Sequence, residues 1–123
     1  MYTAEFYEAL GHLLFAVANT NSTMSLLEQK RINDMIHEEW AEVITEELES
    51  TTVLFHTVRK LALQRAVWRP CFKVFEEYYT ENEAVFTEPL KEKILQNAES
   101  IVLASKKKMA QKTILQLTRL FWD

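Results

Sequence analysis

Gly11 is the only glycine in 123 residues, and Pro70 and Pro89 are the only prolines. Tight turns draw on these two residues for backbone angles that others resist, and a sheet protein needs such turns every few residues. The expectation is therefore an all-α chain. Hydrophobic residues at 48% and charged residues at 26% are ordinary globular values. A chain of this length is one domain, which removes roughly two-thirds of its unfolded surface from water on folding. The predicted architecture is a compact bundle of about six helices over residues 1–123.

The first run, Thr3 to Ala18, places Phe6, Leu10, Leu13, Leu14 and Val17 on one helical face. Thr3 is the expected N-cap, and Glu5 lies in the first turn, where the helix dipole favours an acid. Gly11 inside this helix costs about 1 kcal/mol relative to alanine, and its use is close approach by a neighbouring helix. His12 falls beside the apolar face with no partner apparent from the sequence. Five of the six residues from Asn19 to Met24 are Asn, Ser or Thr, whose side chains compete for backbone hydrogen bonds, so the helix should stop there.

Ser25 and Glu28 have capping-box spacing, which predicts that a second helix starts at Ser25. Its apolar stripe runs through Ile32, Met35, Ile36, Trp40, Val43, Ile44 and Leu48. Unbroken, it would be about 36 Å long, more than this domain needs. A break is expected after Trp40, where Val43, Ile44 and Thr45 are β-branched. Ser50, Thr51 and Thr52 then offer an N-cap for a third helix carrying Leu54, Val58, Leu61 and Ala62 and reaching about Trp68. Arg69-Pro70 predicts a boundary, with a fourth helix from about Pro70 to Thr80 that buries Phe72, Phe75 and Tyr78 or Tyr79. Asn82 is expected to satisfy a local turn. Thr87 as N-cap and Pro89 in the first turn open a fifth helix with Leu90, Ile94, Ala98, Ile101, Val102 and Ser105 on one face. A sixth, about Lys108 to Phe121, turns Ala110, Ile114, Leu117 and Phe121 inward. Trp40 and Trp68 are expected in the core.

The order Ala18-x-x-Asn21-Ser22-x-x-Ser25-x-x-Glu28-x-x-x-Ile32 resembles the TerB-like family of the tellurite-resistance group, in which an Ala-x-Ala-Asp-Gly-x-x-Ser-x-x-Glu segment joins two helices. The stretch Phe75-x-x-Tyr78-Tyr79-x-x-Asn82-x-x-x-Phe86-Thr87-x-x-x-Lys91-x-x-Ile94-Leu95 is similar to the C-terminal half of small bacterial TerB-like proteins. The resemblance covers nearly the whole chain. It implies two pseudo-repeated helical halves, a bacterial source, a stress-related setting, and a metal held by acids of the two similar segments. This chain departs from that pattern: Asn21 replaces the acid, Ser22 replaces the glycine, and only Glu28 keeps a carboxylate. In place of the second acidic segment stand Lys106, Lys107 and Lys108, followed by Lys112, and ammonium groups repel a cation. A capped turn without an ion is the expected state of the first segment. Asn21 and Glu28 are the candidate ligands of a degenerate metal site at this turn, and separately Asp34, His37 and Glu38 share one helical face, a candidate trio that needs one more ligand from elsewhere. His37-Glu38-Glu39-Trp40 has no second histidine and is not a zinc-protease motif.

Charge is segregated along the chain. Glu38, Glu39, Glu42, Glu46, Glu47 and Glu49 form an acidic stretch, whereas Ser50 to Phe75 contains no acid but holds Arg59, Lys60, Arg65, Arg69 and Lys73. Those five, with Lys106, Lys107, Lys108 and Lys112, are candidates for nucleic-acid contact. The net charge of −4 weighs against it, because attraction to phosphate then depends on local convergence. Cys71 is the sole cysteine, so no intrachain disulfide forms and a reducing compartment is expected; a small buried hydrophobe is its plain role. No Lys or Arg precedes Lys30, so the apolar run Leu10 to Ala18 lacks the basic start of a signal peptide. No stretch approaches the roughly 18 apolar residues that span a bilayer. A cytoplasmic protein without membrane insertion is predicted. No nucleophile and base pair or phosphate-cradling glycine loop is legible, so no catalytic residue and no cofactor are assigned. The expected function is a non-enzymatic interaction or regulatory module whose partner is another protein.

Overall fold

The computed structural model describes residues 3–19, 26–40, 44–105 and 110–123, excluding the side chains of 26–28, 37, 39, 44–51, 104–105 and 110. Six helices form a bundle, with no strand among the described residues: α1 (Ala4–Ala18), α2 (Leu26–Glu39), α3 (Ile44–Leu63), α4 (Trp68–Glu81), α5 (Glu88–Ser105) and α6 (Ala110–Trp122). A single 3-10 turn, Glu83–Val85, links α4 to α5.

The fold is built around α1, which touches all five other helices. Between Leu10 and Ala18 only His12 is polar, so this half of the helix is apolar all round, and a helix with that pattern belongs inside. Ala9, Leu10, Gly11 and every residue from Leu13 to Ala18 are buried. The one-sided stripe expected from periodicity is thus replaced by near-complete enclosure. His12 remains half-exposed by reaching back one turn, its Nδ1 donating to the Glu8 carbonyl at 2.7 Å. Thr3 caps the helix as expected, accepting from the Phe6 N–H at 3.2 Å. Gly11 faces α3 so closely that a Cβ there would lie 2.8 Å from both Cβ and Cγ2 of Thr57.

Asn19 ends α1, and its buried side chain donates to the Ala66 carbonyl at 2.8 Å, tying this end to the turn after α3. The expected Ser25 cap lies outside the described residues. The break near Trp40 is present, since α2 ends at Glu39. The third helix differs from expectation at both ends: α3 begins at Ile44, so Ser50, Thr51 and Thr52 lie within it, and it stops at Leu63 rather than Trp68. Ser and Thr have only moderately low helix propensity, so a longer helix can run through them, and within α3 Leu54, Val58 and Leu61 bury one face against the core. The stop is a Schellman turn: the Ala66 N–H bonds to Leu61 O at 3.0 Å and the Arg65 N–H to Ala62 O at 3.1 Å, with Arg65 at φ 52°. That turn starts α4 at Trp68, two residues before the expected Pro70, and Pro70 falls in its first turn, where a missing N–H costs nothing.

Phe86, just after the 3-10 turn, gathers the aromatic side of the core. Its ring centroid lies 5.0 Å from that of Tyr79, 5.8 Å from Phe6 and Phe75, and 6.1 Å from Tyr78 and Phe121. Asn82 satisfies the local turn as expected, donating to Tyr78 O at 2.9 Å. Thr87 caps α5, accepting from the Leu90 N–H at 3.3 Å. Buried Trp40 joins α2 to α5 through an indole hydrogen bond to Asn97 Oδ1 at 2.6 Å, with the Lys93 ammonium 4.3 Å from its ring centroid.

Candidate docking groove between α4 and α6

Two contacts fix the end of α6. The Lys91 ammonium of α5 donates to Phe121 O at 3.0 Å, where the helix carbonyls are otherwise unpaired and the dipole favours a cation. The Trp122 indole donates to Glu88 Oε2 at 2.8 Å. On the other side Phe121 meets α4, its ring 5.3 Å from Tyr79 and 6.0 Å from Phe75. Away from these ring contacts, α4 and α6 leave between them an open groove of about 590 Å³.

The groove is amphipathic. Phe72 is buried, and Trp68 and Leu120 are half-buried, forming its apolar side. Exposed Arg69, Lys73 and Arg119 add three cations, and Glu76 and Gln116 complete the lining. Residues four apart on a helix share a face, so Arg69 and Lys73 stand one above the other along α4. The Arg69 guanidinium lies 5.4 Å from the Trp68 ring centroid, a cation–π contact that holds the fork over the ring. Trp68, expected in the core, packs against it but is only half-buried, and its open side forms a groove wall. Its helix begins without side-chain help, because Val67 stands at the N-cap and carries no acceptor.

The residues singled out from the sequence disperse. Asn21 lies outside the described residues, and so do the side chains of Glu28 and His37. Asp34 is half-buried on α2 and Glu38 is exposed. No group of three His, Cys, Asp or Glu side chains fit to hold a metal occurs among the described residues. Of the candidate nucleic-acid residues, Arg69 and Lys73 enter the groove, Arg59, Lys60 and Arg65 are exposed at the end of α3 and just beyond it, and Lys112 is exposed on α6. Lys106, Lys107 and Lys108 lie outside the described residues. Cys71 is buried next to the groove residue Phe72, and burial pushes its thiol pKa up, away from reactivity. Sequence reasoning missed Glu76, Gln116, Arg119 and Leu120. A usable signal was present on α4, where Trp68-Arg69 and Phe72-Lys73 repeat an aromatic and basic pair at one-turn spacing.

No protein-family model matches the chain, and no curated protein or solved structure matches it. The TerB-like resemblance rests on the quoted residues alone.

Proposed function

We propose that this chain is a non-enzymatic interaction module that captures another protein in the α4–α6 groove. The observation that carries the reading is the groove's composition. A desolvatable apolar side supplies contact area, and three cations select an acidic partner while suppressing wrong ones. Aromatic and Arg side chains are the types that dominate binding energy at protein interfaces, and Trp68, Phe72, Arg69 and Arg119 are of those types. The scaffold suits the role, since α1 is enclosed and the end of α6 is pinned to both α4 and α5. No helix among the described residues is long and apolar enough to cross a membrane. The resemblance to TerB-like proteins adds a bacterial and stress-related setting to this reading, and the sole cysteine a cytoplasmic one.

Affinity capture from the native cell extract tests it. The protein recovered by the wild-type chain is lost when Arg69, Lys73 and Arg119 are all replaced by Glu, and retained when Arg59 and Lys60 are. Retention by the groove variant, with loss by the α3 variant, would move the interface off the groove.

A further inference from the structure

We infer that the groove takes an acidic amphipathic helix of the partner protein, one that presents two carboxylates and a basic residue in register with Arg69, Lys73 and Glu76. This rests on the reading of the groove as a docking surface and goes on to name the shape and charge order of what docks.

The walls argue for a helix. Both are α-helices whose interior N–H and C=O groups are already bonded within the helix, so they offer no backbone ladder to an extended segment. An extended peptide laid on Trp68, Phe72 and Leu120 would lose water from its own backbone groups and find no partners for them. A helix arrives with those bonds made and packs side chains into the furrow between two others. Charge order supplies the register. Along α4 the groove reads cation, cation, anion at Arg69, Lys73 and Glu76, with Arg119 facing them from α6. The opposite order on the partner pairs the three α4 groups, and Arg119 adds to the attraction for its two carboxylates. A nucleic-acid strand fits less well, because a phosphate would stand beside the Glu76 carboxylate and because Arg69 already occupies a face of Trp68 on which a base would stack.

The test uses the full chain labelled with nitrogen-15, whose three indole N–H signals report separate places: Trp68 in the groove, Trp40 on Asn97 and Trp122 on Glu88. Four probes are titrated: an acidic helical peptide of about 18 residues, or five turns, with leucine anchors and the acid, acid, base order; the same peptide broken by proline; its charge-inverted form; and a single-stranded oligonucleotide. The helical acidic peptide is expected to shift the Trp68 indole and the amides of 68–76 and 116–120 while Trp40 and Trp122 stay in place. Replacing the exposed Lys73 by Glu weakens this peptide about tenfold, and a matching peptide with lysine in place of its second acid regains that loss on the variant. Equal binding of the proline-broken peptide would overturn the helical occupant but leave the groove as a docking surface. Equal binding of the charge-inverted peptide to the wild type would overturn the charge register. Binding of the oligonucleotide alone would overturn both this inference and the proposed function. Concentration-dependent shifts of the same signals without peptide would make a second copy of the chain the occupant and overturn the inference. So would silence with all four probes, while the capture experiment above still judges the groove independently.

Discussion

Arg65 is the only non-glycine residue with positive φ among the described residues, and it occupies the position of a Schellman turn where glycine is the usual choice. Its left-handed backbone costs an L residue roughly 1–2 kcal/mol, part of which Arg65→Gly gives back as extra freedom of the unfolded chain. The net expectation is a gain of about 0.5–1 kcal/mol and a Tm higher by about 3 °C. Thermal unfolding followed by circular dichroism checks this; an unchanged or lower Tm would mean that the Arg65 side chain has stabilising contacts of its own. Cys71 makes a second prediction at this scale. Burial raises its thiol pKa above the ordinary 9.0, so the folded state holds the proton more tightly than the unfolded state. That contribution is complete below the ordinary thiol pKa and is lost as pH rises through the raised one. Urea midpoints measured from pH 7 to pH 10.5 should therefore fall more steeply for the wild type than for Cys71→Ala.

The contact between α1 and α3 depends on the absence of a single methyl group. Alanine at position 11 improves helix propensity by about 1 kcal/mol, yet its Cβ would meet Thr57 at 2.8 Å, and a Cβ on a packed helix cannot swing aside. Gly11→Ala should destabilise the protein by a net 1–3 kcal/mol, read as a lower urea midpoint with an unchanged slope. A stabilised variant would show that α3 can shift away freely. Gly11 is also where sequence and structure agree most directly, because a lone glycine in an apolar helix has little other use. The Thr3 and Thr87 caps, the end of α1 at Asn19 and the break at Trp40 were legible for the same reason, each resting on chemistry within a few residues. The extent of α3 was not legible. Ser50, Thr51 and Thr52 look like a start, yet their propensity is not low enough to stop a helix running through them, and the turn that ends α3 has Arg65 where a glycine would mark it. Half of the groove was visible in the spacing of Trp68, Arg69, Phe72 and Lys73 along one helix. Arg119 was not, because nothing local to α6 says which helix will stand beside it.

At the level of the whole molecule, Phe86 joins rings from α1, α4 and α6 although it lies outside every helix. Phe86→Ala should cost about 3–5 kcal/mol, a large share of the 5–15 kcal/mol that holds a typical domain together. Near-ultraviolet circular dichroism and urea unfolding would register it, and a loss below about 1 kcal/mol would mean that Tyr79 and Phe121 close the gap unaided. Phe75, Tyr79 and Phe121 of that cluster join α4 to α6, so the core also holds together the two helices that wall the groove. The most direct measurement is hydrogen–deuterium exchange of the chain with and without the partner protein it captures. The account predicts slowed exchange in 68–76 and 116–120, with α2 and the middle of α5 unchanged. Slowing confined to the acidic stretch 38–49, with α4 and α6 unaffected, would contradict it.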